Sequence, residues 1–240
     1  MKKIPLIIPV YNQLTYLRNL INWWLWYNPD APIFIVDNHS TYAPLLKYYE
    51  SIVTKDIILF QCEKNDFIPN LTEIIKKVVE PKYEHYVISD PDIMPHPNTP
   101  PNFLDAFKYY IDNKGFHRAG FNLIVDDLPS CLNERAMIIG NEKELLNGRE
   151  ILTYNNFTGY KAPIDTTFCL YKTANGGWSA PMGGEDWGNC LRLFNAFHLG
   201  WYIDGEHMNP EMEHYFKTSK YRVPGEPSAG KNNNRPKQFQ

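Results

Sequence analysis

Apolar runs and helical stripes alternate along the first ninety residues. Ile4 to Val10 is an unbroken apolar run ended by Tyr11-Asn12, and it reads as a buried strand. Leu14, Leu17, Leu20, Ile21, Trp24 and Leu25 then recur at helical spacing until Asn28-Pro29-Asp30 stops them. Ile33 to Val36 predicts a second strand, Leu45 to Tyr49 a short helix, and Asp56 to Gln61 a third strand. Asn70-Leu71-Thr72-Glu73 has the spacing of a capping box, with Leu71, Ile74, Ile75, Val78 and Val79 as the stripe that follows. The run Tyr86 to Ile88 closes the series. A β-α-β-α-β-α-β order implies the α/β class, with a parallel sheet, right-handed crossovers and helices on its faces.

The second half reads less regularly. Four prolines in Met94 to Pro101 argue against regular structure there. Asn102 is placed to cap a helix striped by Phe103, Phe107, Tyr110 and Ile111 and closed by Gly115, and Arg118 to Val125 is strand-like. Residues 128–156 offer only a short helix around Glu142 to Leu146. Ile164 to Tyr171 is β-rich. Trp187, Leu191, Phe194 and His198 share a helical face, whereas Phe197, Leu199, Trp201 and Ile203 alternate as a strand would, and the helix is placed at 185–195. The expected organisation is one domain over 1–220, made of halves 1–95 and 96–220, with 221–240 as an extended or disordered tail.

Composition narrows the function. A chain of 240 residues with 43% hydrophobic content can build one large core. A net charge of −3 gives no sign of a nucleic-acid surface. Four cysteines, Cys62, Cys131, Cys169 and Cys190, lack C-x-x-C spacing and suit a reduced, intracellular protein. No run reaches the ~18 to 20 apolar residues of a bilayer span. The expected location is cytoplasmic, or peripheral at a membrane surface.

Every predicted strand of the first half ends at a polar cluster, so those clusters should gather along one sheet edge, where open α/β sheets bind ligands. Asp90-Pro91-Asp92 stands past the fourth strand. Pro91 places the two carboxylates in a turn, and such a pair suits a divalent cation also bound by phosphate oxygens. The plain alternative is a solvated turn.

Ile7-Ile8-Pro9-Val10-Tyr11-Asn12, then Ile35-Val36-Asp37-Asn38-His39-Ser40-Thr41, then Asp90-Pro91-Asp92 resemble the nucleotide-sugar half of a GT-A glycosyltransferase, in the order of its family-2-like members. The resemblance covers residues 4–95 well and the rest loosely. It implies an open, mostly parallel Rossmann-like sheet, a nucleotide-sugar donor linked to UDP, and Mn²⁺ or Mg²⁺ between the D-x-D and the diphosphate. Asp90 would face the ribose and share the metal, and Asp92 would bind the metal directly. Pro9, Tyr11, Asn12, Asp37, Asn38 and Asn65 would line the nucleoside, although Asp37 also suits a helix cap and Tyr11 the core. The third metal ligand is expected from His198, preferred over His207 and His214, with His96 an outside candidate.

The departing diphosphate gathers negative charge, so this chemistry needs a cation there more than a strong base. An inverting enzyme also needs a carboxylate base for the acceptor hydroxyl, and a retaining one needs a group that steadies the anomeric carbon. Asp165, beside the strand-like Ile164 to Tyr171, is one candidate. Gly183-Gly184-Glu185-Asp186, which resembles an acceptor and base motif of some galactosyltransferases, supplies Glu185 and Asp186 as the others. Trp178 suits either a sugar platform or the core. The acceptor, whether glycan, lipid-linked or protein, is not specified. The rivals are a glycan-binding or degenerate module and a sugar-nucleotide nucleotidyltransferase, and the latter lacks its Gly-rich basic loop after the first strand.

Overall fold

The computed structural model describes residues 3–130, 132, 134–164, 167–179, 189–203 and 207–219. The alternation expected of the first ninety residues is present: β1 (Leu6–Val10), α1 (Leu14–Tyr27), β2 (Ile33–Asp37), α2 (Ala43–Ile52), β3 (Ile57–Gln61), α3 (Phe67–Ile74, continued by a π turn Ile75–Val79) and β4 (His85–Ile88). There follow β5 (Ile93–Pro95), α4 (Phe103–Lys114), β6 (Arg118–Leu123), α5 (Arg135–Leu146), β7 (Ile151–Tyr154), β8 (Phe157–Lys161), β9 (Cys169–Lys172), β10 (Cys190–His198) and α6 (Pro210–Thr218).

All the strands belong to one sheet of order β3-β2-β1-β4-β9-β6-β10-β8-β7, with β5 paired to β10 off that path. Strands β3, β2, β1 and β4 pair in parallel, as do β6 and β10, while β9 runs antiparallel between β4 and β6. The sheet is therefore mixed around a largely parallel centre. Register puts Val10 beside Asp37 and Ile7 beside Ile88, so the tips of β2, β1 and β4 stand side by side.

Strand alternation divides the core in two. Leu6, Ile8, Val10, Ile33 and Ile35 face Leu17, Leu20 and Trp24 of α1, Leu45 of α2 and Phe103 and Phe107 of α4. Ile7, Phe34, Val36, Tyr86 and Ile88 face Leu71, Ile75 and Val79 on the other side. Among the described residues no helix is long and apolar enough to cross a membrane, and Cys62, Cys169 and Cys190 form no disulfide.

Four sequence expectations need correction. Helix α3 begins at Phe67, so Asn70 lies inside it, and its amide reaches Asn38 Oδ1 and Lys64 O, both at 2.9 Å. The proline-rich stretch contains β5, where Pro95 ends the strand and its missing donor costs nothing. The short helix near Glu142 is the second half of α5, and a β7–β8 hairpin follows it.

The fourth concerns the helix at 185–195, whose described part is β10. Its register slips between Arg192 and Asn195, and Phe194 at the slip takes φ 61°. This β-bulge shifts the alternation by one residue. Leu191 and Leu193 before it, and Phe194 and Ala196 after it, all join the α1-side core. An interrupted strand has thus produced spacings of three and four residues that imitate a helix. Trp187 lies outside the described residues.

The last helix, α6, closes back on the first strand. Asn209 caps it, Oδ1 accepting from Met212 N at 2.9 Å, and Pro210 starts it. The buried Glu211 carboxylate accepts from Thr15 N at 2.8 Å and Thr15 Oγ1 at 2.7 Å. It thereby supplies the negative cap that α1, with no capping side chain and no acid in its first turn, otherwise lacks.

Two outcomes follow for stability. In urea denaturation Trp24→Ala, at a fully buried site, loses about 3–5 kcal/mol, while Trp26→Ala, 84% exposed, stays within about 0.5 kcal/mol of the parent. Glu211→Gln costs about 1 kcal/mol and hastens proteolytic removal of α6, because one acceptor and the charge at the α1 terminus are lost.

Candidate active site

The site is built at the carboxyl ends of β1, β2 and β4, with the end of β10 brought in from the other half. After β4, Asp90-Pro91-Asp92 forms a turn closed by Ile93 N donating to Asp90 O at 3.4 Å. Chain direction then reverses into β5, which pairs antiparallel with β10 so that Ile93 stands opposite His198. Leu199 N donates to Asp92 O at 2.7 Å, which locks the two segments together.

This join sets His198 Nδ1 3.5 Å from Asp92 Oδ2. Nδ1 is buried and has no hydrogen-bond partner among the described residues. The other histidines stand elsewhere. His214 Nε2 is 3.0 Å from Thr41 Oγ1 on α6, His96 Nδ1 is 2.6 Å from Asn98 Oδ1, and His207 is exposed before α6.

Two tyrosines that sequence reasoning missed face the same carboxylates. Burial raises the Tyr16 phenol pKa above its ordinary value, and the Asp92 and Glu211 charges raise it further. Burial does the same for Tyr215 of α6, with Asp92 and Asp90 adding to it. Both phenols therefore stay protonated beside the acids. Tyr16 lies off the apolar stripe of α1, the one signal available in the sequence. Nothing in the sequence marked Tyr215, because its role depends on where α6 docks.

The residues expected to line a nucleoside do gather at the neighbouring tips, but most are already engaged. Asn12, fully buried with φ 54°, takes Ser40 Oγ on its backbone N–H at 2.9 Å and receives Thr41 N and Tyr42 N on Oδ1 at 2.7 and 2.9 Å. Its Nδ2 donates to Thr218 Oγ1 at 2.8 Å, and Tyr11 Oη donates to Thr218 O at 2.8 Å.

Asp37 is 2% exposed and accepts from Ser40 N at 3.2 Å and Tyr49 Oη at 3.1 Å. Burial pushes its carboxyl pKa up, against the lowering effect of the Ser40 and Tyr49 hydrogen bonds. Asn38 is held by Asn70, Pro9 pairs with Val36 inside the sheet, and Asn65 lies in the loop between β3 and α3. In this arrangement Asp37 anchors the loop after β2 and does not cap α2, whose N-cap is Tyr42 with no side-chain bond.

Trp178 is a core residue. It packs with Tyr171 on the α3 side and donates Nε1 to Thr72 Oγ1 at 2.9 Å. Asp165, Glu185 and Asp186 lie outside the described residues, as does the 221–240 tail.

A second group of ionisable residues, Glu84, His85 and Asp112, has ligand atoms within 4.8 Å of one another. It sits at the start of β4, the opposite edge from Asp90 and Asp92. Lys108 bonds Asp112 Oδ2 and Lys172 Nζ bonds Oδ1 at 2.6 Å. Burial acts to raise the Asp112 pKa, but these two ammonium groups hold it below the ordinary carboxylate value. Asp112 is thus spent on two cations already, and this cluster is a structural ion network.

No protein-family model matches the sequence, and no curated protein matches it. Solved structures do match in shape. GalNAc-T7 with UDP, GalNAc and Mn²⁺ superposes with a TM-score of 0.54 at 10% identity, covering 90% of this chain and 48% of that one. TarS 1-349 of S. aureus gives 0.49 at 14% identity, covering 82% of this chain and 60% of that one. Glucosyl-3-phosphoglycerate synthase from Mycobacterium tuberculosis, in complex with phosphoglyceric acid, gives 0.48 at 9% identity, covering 81% and 70%. The chain thus spans less than two thirds of the length of TarS 1-349 and about half that of GalNAc-T7. Identities this low carry the fold and nothing finer: this chain has the GT-A fold of the glycosyltransferases.

Proposed function

We propose that the chain is a metal-dependent glycosyltransferase that takes a sugar from a nucleoside diphosphate donor, UDP-linked, and passes it to an acceptor hydroxyl. The observation that carries this reading is Asp92 beside the orphaned His198 Nδ1, at the carboxyl edge of a GT-A sheet. Two ligands at right angles on one small divalent ion stand about 3 Å apart. A carboxylate oxygen and a buried imidazole nitrogen 3.5 Å apart, with no proton shared between them, fit that demand. The structural neighbour holding UDP and Mn²⁺ supports the same reading.

Asp92 and His198 would hold Mn²⁺ or Mg²⁺, with Asp90 beside them reaching the ion or the ribose. The ion's chemistry there is neutralisation of the charge that grows on the departing diphosphate. Tyr16 and Tyr215 keep their protons beside the carboxylates and stand as neutral hydroxyls at that wall. Tyr11 and Asn65 would face the nucleoside, while Pro9, inside β1, and Asn12, Asp37 and Asn38 would shape its pocket by fixing the strand and the loops after β1 and β2.

Deprotonation of the acceptor falls to a carboxylate among Asp165, Glu185 and Asp186. The proposed setting is reducing and cytoplasmic, in keeping with the reduced thiols of Cys62, Cys169 and Cys190.

Calorimetry with a panel of nucleoside diphosphate sugars, with and without Mn²⁺, tests the proposal. Metal-dependent binding of at least one UDP-sugar is expected, and binding of none sinks the reading. Asp92→Asn should abolish metal dependence. Of Asp165→Asn, Glu185→Gln and Asp186→Asn, the one that removes the acceptor's base should lower turnover by about 10²- to 10⁴-fold while donor binding persists.

A further inference from the structure

The turn after β10, His198-Leu199-Gly200-Trp201, is shaped around Asp92 to a degree that its place in the sheet does not require. The Trp201 ring lies flat on the His198 imidazole, with centroids 4.5 Å apart and planes 4° from parallel. Trp201 itself packs on the α1-side core and on the small cluster of Leu128, Leu132 and Ile138. The imidazole plane is thus referred to two fixed bodies. Leu199 is gripped at both ends, its N–H on Asp92 O at 2.7 Å and its carbonyl accepting from Tyr16 Oη at 3.4 Å.

Between the histidine and the tryptophan stands Gly200. It does not have a positive φ, so its backbone would suit an ordinary residue. What the glycine provides is space. A Cβ there would stand 2.6 Å from Asp92 Oδ2, 3.1 Å from His198 Cε1 and 3.2 Å from His198 Nδ1. The atom it would strike first is the end of the Asp92 side chain, so the backbone can stay in place while the carboxylate is turned away.

We infer that Gly200 and Trp201 are positioning residues for the Asp92–His198 pair. Gly200 leaves the volume that Asp92 Oδ2 occupies, and Trp201 fixes the imidazole plane so that Nδ1 faces that oxygen. The inference rests on the metal reading given above. It goes beyond that reading because it assigns the precision of the site to two residues that touch neither ion nor substrate. Partners that orient metal ligands from behind are worth about 10- to 100-fold in metal affinity.

The test is Mn²⁺ affinity by water-proton relaxation, with thermal unfolding recorded on the same samples. Gly200→Ala should lower affinity at least about tenfold with its melting temperature close to that of the parent. Trp201→Phe, which keeps a flat ring, should stay near the parent value. Trp201→Leu, which keeps bulk without a face to stack on, should lose about as much as Gly200→Ala. Parent-like affinity in Gly200→Ala and Trp201→Leu, with Asp92→Asn still abolishing binding, overturns this inference and leaves the metal site standing. If the unaltered chain binds no Mn²⁺, the metal reading falls and this inference falls with it.

Discussion

The candidate site depends on one antiparallel join, the pairing of β5 with β10. Asp92 belongs to the half of the sheet built from alternating strands and helices, and His198 to a strand laid down about a hundred residues later in the chain. Neither half contains the site. The three-residue strand β5 lets the turn after Asp90 run straight into β10, where Ile93 meets His198 across the ladder. The bulge at Phe194 has already reset the alternation of β10, so Ala196 and His198 continue the face that Phe194 begins. A bulky residue at φ 61° is a costly conformation, and it persists because Phe194 is packed among Phe107, Tyr154 and Phe157.

The neighbouring strand tips show a different solution to the same problem of polar groups at a buried edge. A buried group left unpaired costs about 1–3 kcal/mol, so each must find a partner. Asn12 satisfies its backbone N–H and both ends of its amide within the protein, and Asp37 does so through Ser40 and Tyr49. At the join of β5 with β10, His198 Nδ1 is buried with no hydrogen-bond partner among the described residues. The loops at the tips of β1 and β2 are settled within the protein, while this nitrogen stands where a ligand would add most.

The first ninety residues were legible because their physics is local. Apolar runs of the right length and stripes of helical period settle β1 to β4, and the D-x-D turn follows from Pro91 alone. Later elements depend on partners far away in sequence. The bulge in β10 disguised a strand as a helix, since Leu191, Phe194 and His198 repeat at helical intervals although the chain between them is extended. Met94 and Pro95 can form a strand only because β10 offers an edge. His198 was expected, from among four histidines and on the strength of the aromatic that follows it, as a third metal ligand, and it is the one that lies beside Asp92. Tyr16, Tyr215, Gly200 and Glu211 gave no comparable signal, because each acquires its role from a contact that spacing does not encode.

The bonds from Thr218 to Tyr11 and Asn12 span 207 and 206 residues of chain. Ribosomes add about 5–20 residues per second, so roughly 10–40 s separate synthesis of the first-strand tip from synthesis of the helix that covers it. Throughout that interval the end of β1 has only its local loop for cover. The tip of β1, with Tyr11 and Asn12, is therefore among the last parts of the fold to take its final form on the nascent chain.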